Sequence, residues 1–292
     1  MSIFKNKFLK IQIVLLAVLI LIWTWVLIEE KQEFLEINFY DIGQGDAILV
    51  ETPNKRQILI DGGPDLTILE KLGKELPFWD RYIDLVILTH PEYDHLGGLI
   101  EVVKRYKIGG ILTTGVVRDT AEYKEWKKVV ENKNIPIYIA QIGEVIELDK
   151  EINLVVLHPS NNLNNKKFEK SNNTSMVAQL VYKDFELLLT GDIEREVEQA
   201  LVGLGINLNS DILKVAHHGS KTSTTENFVK AVNPIIAVIS AGKDNFYNHP
   251  HREVLENLAD IPIFITGQDG DIKILSDGTK FRIKQSHSSK NN

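Results

Sequence analysis

The segment Leu85-Val86-Ile87-Leu88-Thr89-His90-Pro91-Glu92-Tyr93-Asp94-His95-Leu96-Gly97-Gly98 joins an apolar, β-branched run to the start of a helix, and four ionisable donors sit in its middle. Residues 84–89 predict a buried strand and 97–106 a helix. His90, Glu92, Asp94 and His95 then fall in the turn between them. Divalent metals need deprotonated nitrogen and oxygen donors that converge on one point. A loop at a strand end can aim several side chains at once, whereas a regular strand or helix aims only every second or fourth. The chain has eight histidines, and two of them fall here beside two acids. A polar loop with helix caps is the plainer alternative, and the density of donors argues against it.

Further along the chain the arrangement recurs. Leu187-Leu188-Leu189-Thr190-Gly191-Asp192 is an apolar strand that ends in Gly-Asp ahead of a helix, where Asp192 alone could be a cap. Ile212-Leu213-Lys214-Val215-Ala216-His217-His218-Gly219-Ser220 is a buried strand running into adjacent histidines. Asn248-His249-Pro250-His251 opens another helix, again as site or as cap. In layered α/β folds the loops at one edge of the sheets form the site, so these segments count for more together than singly.

Between these segments strands and helices alternate. Strands are expected over 37–51, 57–60, 110–114, 137–140, 144–148, 153–158, 176–182, 185–190, 212–216, 235–240 and 263–266, and helices over 66–76 and 120–132. The asparagine- and lysine-rich stretch 161–173 reads as a surface loop, and the tail 286–292 as disordered. Each half starts strand-rich and then alternates helix with strand. That points to a layered α/β architecture with sheets inside and helices outside. Lys166, Lys167 and Lys170 read as solvated, His158 as structural, and Gly43-Gln44-Gly45 as a tight turn. Lys214 and Lys221 flank the histidine pair, either solvated or holding an anion.

The 292 residues, 43% hydrophobic and 25% charged, suit one large domain or two small ones. The net charge of -7 means that nucleic acid would need a local basic patch or metal ions to bind. With no cysteine, disulfides and thiolate ligands are excluded, and any metal must be held by His, Asp and Glu.

Residues 11–28 read IQIVLLAVLILIWTWVLI, with only Gln12 and Thr24 polar. As a helix this run spans roughly 27 Å, about the thickness of a bilayer core. Lys5, Lys7 and Lys10 precede it, and Glu29, Glu30, Lys31 and Glu33 follow. The expectation is an uncleaved anchor with residues 1–10 cytoplasmic and everything after Ile28 outside. Trp23 and Trp25 would sit in the outer aromatic belt. A cleaved signal peptide would need a shorter core and a small-x-small site, which Trp25-Val26-Leu27-Ile28-Glu29-Glu30 does not offer.

These motifs resemble the metallo-β-lactamase superfamily, whose His-x-His-x-Asp-His loop reads His90-x-Glu92-x-Asp94-His95 here. Within it the likeness is to the extracellular hydrolase domain of ComEC-type DNA-uptake proteins. The likeness is carried by the run from Phe39 through Ala47, Leu59-Ile60-Asp61-Gly62-Gly63, the His90 loop, Leu188 to Asp192, Leu213 to Ser220 and Asn248-His249-Pro250. The resemblance runs from about Glu36 to Gly267 and implies a four-layer αββα sandwich, expected over 36–285 after the transmembrane helix read at 11–28. It also implies roles: His90 and Glu92 on a first metal, Asp94 and His95 on a second, Asp192 bridging, His217 completing the second, and Asp61 orienting the loop behind them. Two departures stand out. Glu92 replaces a histidine, and Ser171-Asn172-Asn173-Thr174-Ser175 lacks the histidine of the third motif. One or two divalent ions, zinc or manganese, are the expected cofactors. The large membrane channel of ComEC proteins is absent, so the chain looks like the hydrolase module alone.

The implied activity is hydrolysis of a phosphodiester, with extracellular DNA or the phosphoesters of cell-wall polymers as candidates. Asp94 or Asp192 would accept a proton from water, and His218 or His249 would donate to the leaving group. Hydrolysis of an amide, lactone or thioester is the second reading. The third is a metal-binding but inactive surface domain that recruits partners.

Overall fold

The strand Leu85–Leu88 is apolar at every position because both of its faces are covered. Leu85 and Ile87 face one core, while Val86 and Leu88 face another. The structure is a computed structural model that describes residues 2–29 and 34–286, apart from the side chains at 2–6, 8 and 25–29.

Two sheets lie back to back. The first runs β17 (Phe281–Gln285), β16 (Ile272–Ser276), β1 (Leu35–Phe39), β2 (Ile48–Glu51), β3 (Gln57–Ile60), β5 (Leu85–Leu88), β7 (Ile111–Thr113), β8 (Ile137–Ile139). The second runs β15 (Ile263–Ile265), β14 (Ile236–Ile239), β13 (Ile212–Lys214), β12 (Phe185–Leu189), β11 (Val177–Tyr182), β10 (Ile152–His158), β9 (Val145–Asp149). A short ribbon pairs β4 (Tyr82–Ile83) with β6 (Lys107–Ile108). Each sheet begins as an antiparallel meander. From β3 onward in the first and β12 onward in the second, the strands are parallel.

Parallel strands need crossovers, and the crossovers supply helices. Helices α2 (Thr67–Glu75), α3 (Tyr93–Arg105) and α4 (Ala121–Asn132) cover the outer face of the first sheet through Ile68, Leu72, Leu99, Val103, Trp126 and Val130. Helices α5 (Arg195–Gly203), α6 (Glu226–Val232) and α7 (Arg252–Asn257) cover the second through Val197, Leu201, Phe228, Val232 and Val254. The brief α8 (Thr266–Asp269) leads into β16. Between the sheets lies a third core, built on Phe39, Ile58, Ile60, Ile87, Leu154, Leu180, Leu187 and Ile212. This is the expected four-layer αββα sandwich.

Local differences matter for the site. The strand expected over 37–51 is two strands, β1 and β2, separated by a loop at 40–47 that reaches across to α3. Helix α3 begins at Tyr93 rather than Gly97, so Asp94 and His95 ride its first turn. Strand β13 stops at Lys214, not Ala216. The β16–β17 hairpin closes the first sheet beside β1 and was not foreseen, because its alternating lysines and isoleucines are spread over a polar stretch.

Before the sandwich, α1 runs Ser2–Glu29 and presents Leu9, Ile11, Leu15, Leu19, Ile22 and Trp23 to solvent, each more than half exposed. Among the described residues no helix is long and apolar enough to cross a membrane, so the expected span over 11–28 is a helix that the fold does not establish as a span. The side chains of Lys5 and Trp25, the flank Glu30, Lys31 and Glu33, and the tail from 287 onward lie outside the described residues.

Candidate metal centre

The carboxyl ends of β3, β5, β12, β13 and β14 meet at one edge of the sandwich. Three backbone links tie the loops there together: Gly62 N–H to His95 O at 2.8 Å, Gly63 N–H to Asp46 O at 2.8 Å and Gly98 N–H to Gly63 O at 2.8 Å. Gly98 permits this approach, since a Cβ there would come within 2.0 Å of Gly62 O. The tight seating of α3 is what turns Asp94 and His95 toward the second sheet.

Four side chains converge from three elements: Asp94, His95, Asp192 and His218 each place a donor atom within 4.8 Å of the others. His95 Nε2 lies 3.2 Å from Asp192 Oδ2 and 4.0 Å from Asp94 Oδ1. His218 Nε2 lies 3.3 Å from Asp94 Oδ2 and 3.3 Å from Asp192 Oδ2. Ligand bonds of about 2.0–2.2 Å around a tetrahedral ion put donors roughly 3.3–3.6 Å apart, so these spacings fit one ion. The buried Nε2 atoms of His90, His95 and His218 and the Oδ1 of Asp192 lack hydrogen-bond partners. Orphaned buried polar atoms are costly unless something coordinates them.

The far side of each imidazole is fixed. His95 Nδ1–H donates to Asp61 Oδ2 at 2.8 Å, and His218 Nδ1–H donates to the Ser240 carbonyl at 2.8 Å. Both contacts leave Nε2 as the bare, metal-facing nitrogen. Asp61, fully buried, also accepts from the Thr89 amide at 2.9 Å and the Thr89 hydroxyl at 2.6 Å. That hydroxyl in turn lies 3.1 Å from His90 Nδ1, so Asp61 orients both histidines, one directly and one through Thr89.

Electrostatics follow from burial and crowding. Burial opposes the charged form of His95, but the carboxylates of Asp192, Asp61 and Asp94 outweigh it and hold its pKa well above the ordinary value. His218 is likewise pushed up to about 10 by Asp192, against the effect of burial. Asp192 is held well below the usual carboxylate range by His218 and His95, again against burial. In the metal-free protein, protons thus neutralise the cluster that a dication would otherwise neutralise. His90 is kept neutral by burial, reinforced by the charge of His95.

Other expected residues sit elsewhere. His217 is outside the cluster: its half-exposed ring takes a hydrogen bond from Asn172 Nδ2 at 3.2 Å on Nε2 and meets Thr222 Oγ1 at 3.3 Å on Nδ1. His218 takes the place expected of it. Because β13 ends at Lys214, two more residues intervene, and a turn with His217 at φ 49° and His218 at φ 55° points the second histidine inward. Glu92 is also outside. Its Oε1 is held by Arg118 at 2.6 Å and by the Ser171 hydroxyl. His249 stands on the rim, with its ring 6.4 Å from that of His218 and stacked on Tyr247 at 5.6 Å. Burial, then the charges of His218 and His217, lower its pKa to about 4. Asp192 is not a helix cap, because Glu194 occupies that position in α5. His158 donates to the Ser175 carbonyl at 2.9 Å, a structural contact.

Two residues went unrecognised. Lys214, read as solvated or anion-holding, is 1% exposed and forms a buried ion pair with Asp46. Its ammonium lies 4.0 Å from Asp192 Oδ1, and Asp46 lies 3.6 Å from His218 Nδ1. This pair packs directly behind the cluster. Strand alternation carried the only usable signal: Lys214 sits in an apolar strand where both faces are covered.

The fold and the cluster define a class, and comparison with known proteins agrees. The profile of the metallo-beta-lactamase superfamily matches residues 40–243, and the chain belongs to that superfamily. It is similar to ComE operon protein 3 of Bacillus subtilis (strain 168), at 33% identity over 82% of this chain and 32% of that one. Competence protein ComA of Neisseria gonorrhoeae is 32% identical over 75% of this chain and 28% of that one. The chain thus spans about a third of the length of these relatives. Igni18, a metallo hydrolase of the archaeon Ignicoccus hospitalis, shares the fold with a TM-score of 0.52, at 15% identity over 86% of this chain and 100% of that one.

Proposed function

We propose that the protein is a metal-dependent phosphodiester hydrolase whose essential ion is held by Asp94, His95, Asp192 and His218. The carrying observation is the cage itself: four buried or half-buried donors at ligand spacing, with their histidine tautomers fixed from behind. Zinc and manganese both suit two imidazoles and two carboxylates. A divalent ion there would supply Lewis acidity and lower the pKa of water from 15.7 to about 7. His90, neutral and with a bare Nε2, offers one donor for a second ion. Glu92 offers none while Arg118 holds it, so one strong position and one weak position are proposed.

The chain's own residues supply the rest. Asp94, the most accessible of the four, is the acceptor for the proton of the attacking water. His217 and His249 line the rim, where burial keeps both rings neutral, so they offer hydrogen bonds to the phosphate oxygens rather than a proton to the leaving group. Support for a phosphodiester comes from the similarity to competence proteins and from this imidazole-rich rim. The apolar side chains that α1 exposes on every side from Leu9 to Trp23 support membrane anchoring, with the sandwich on the outer side as the flanking lysines direct.

The test is hydrolysis of bis(p-nitrophenyl) phosphate and of DNA by the purified chain with manganese or zinc restored after chelation. An acyl ester, a lactone and a thioester serve as comparison substrates. The expected outcome is phosphodiester cleavage that Asp192→Ala abolishes. Cleavage confined to the acyl substrates would favour an amide-, lactone- or thioester-type hydrolase. Metal binding with no cleavage of any substrate would favour the recruitment domain.

A further inference from the structure

The edge opposite the metal centre is built differently. It gathers the amino ends of β1, β3 and β5 and the β4–β6 ribbon. The loop after α2 exposes Phe78 and Trp79 there, at 79% and 73%, with their rings edge-to-face at 4.7 Å. Beside them an open cleft of about 550 Å³ is lined by Arg81, Arg105, Lys107 and Lys133. Arg81 rests on the Tyr106 ring, Lys107 on the Tyr82 ring, and Lys133 on the carbonyls of Lys104 and Tyr106. Of the nearby acids, Asp80 accepts from Gln57, Asp84 pairs with Arg56, and Glu101 pairs with Arg105 of the cleft itself, while Glu36 and Glu75 share Lys273 at the β1 end of the edge. Among the described residues Arg81, Lys107 and Lys133 form no ion pair, so this cleft presents three uncompensated cations on a chain of net charge -7.

The same edge is where the chain enters the sandwich. Only residues 30–33 separate Glu29, the end of α1, from Phe34. Fully extended, that connection reaches at most roughly 18 Å. Aromatic rings next to cations are the side-chain set that seats a protein at a lipid headgroup layer.

We propose that this edge docks on anionic lipid headgroups, with Phe78 and Trp79 entering the interface and Arg81, Lys107 and Lys133 meeting the phosphates. The inference rests on the reading of α1 as an anchor. Docked this way, the sandwich turns its metal centre away from the bilayer. A nucleic-acid strand would also suit a basic cleft, but the cleft lies at the far end of the strands from the metal centre and at the edge where the chain from α1 enters, which favours lipid.

The absence of cysteine makes the test direct. Single nitroxide labels are placed in the full chain at Leu19→Cys, Trp79→Cys and Phe246→Cys, all solvent-exposed positions. Each is reconstituted in vesicles of phosphatidylcholine with or without phosphatidylglycerol. The proposal expects the label at 79 to be several-fold less accessible to an aqueous nickel complex than the label at 246, in anionic vesicles only. Lys107→Glu should abolish that protection while the label at 19 stays embedded. A label at 79 as accessible as that at 246, with 19 embedded, overturns the docking alone. An aqueous label at 19 overturns the anchoring reading and the docking with it. Loss of binding to a labelled single-stranded oligonucleotide in Lys107→Glu, with protection at 79 unchanged, also overturns it in favour of nucleic acid.

Discussion

Lys214 shows how a single buried charge serves the centre. Its ammonium neutralises Asp46 in a place that water does not reach, and it sits against Asp192. Removing one partner of a buried pair leaves an uncompensated charge, at a cost of about 3–5 kcal/mol. Lys214→Met should therefore destabilise the chain by that amount in urea unfolding, and Lys214→Met with Asp46→Leu should recover most of it. If the single variant is as stable as wild type, the pair does not hold the site together. Titration gives a second expectation. His95 and His218 have pKa values raised above the unfolded value of about 6.5, so in the metal-free protein their contribution is fully present below 6.5. It is lost as pH rises through the folded values, toward about 10 for His218. The chelated protein should melt at lower temperature at pH 9 than at pH 6. With metal bound the ligands must be deprotonated, so the order should reverse, and binding at pH 7 should release about two protons. Equal melting temperatures at both pH values without metal would contradict the assignment of these histidines. Much of this was written in the residues: His90, Asp94, His95 and Asp192 announce themselves as donors at strand ends. Which of two adjacent histidines turns inward was not, because that depends on two consecutive left-handed residues that no pattern of hydrophobicity encodes. Nor was the capture of Glu92, because Arg118 is distant in sequence and meets it only in the fold.

At the scale of elements, the site depends on how closely α3 sits on the loop that follows β3. Gly98 is where the two backbones touch, and a side chain there would collide with Gly62 O and Asp65 O rather than with a flexible group. Gly98→Val should cost about 1–3 kcal/mol through forced separation. It should also weaken metal binding, because Asp94 and His95 ride the displaced turn. Isothermal titration beside urea unfolding checks this, and full metal affinity in a folded variant would count against the coupling. Strands are legible where both faces are buried, as in β5, where every position is apolar, and in β12, where only Glu186 breaks the run. The β1–β2 boundary was hidden because Tyr40, Ile42 and Ala47 continue the apolar run through a loop. The start of helix α3 at Tyr93 is hidden in the sequence because Asp94 and His95 are polar for the sake of the site and so break the amphipathic signal at its first turn.

For the whole molecule, two similar halves each present parallel strand ends to one edge, and the centre takes ligands from both. Asp94 and His95 come from the first half, Asp192 and His218 from the second. The metal therefore ties the two sheets together as well as serving chemistry. The direct measurement is metal content per chain, by elemental analysis, for the wild type, His217→Ala and His218→Ala after loading and dialysis. Wild type and His217→Ala should hold metal tightly, and His218→Ala should lose it. Retention by His218→Ala with loss in His217→Ala would contradict the placement of His218 in the centre.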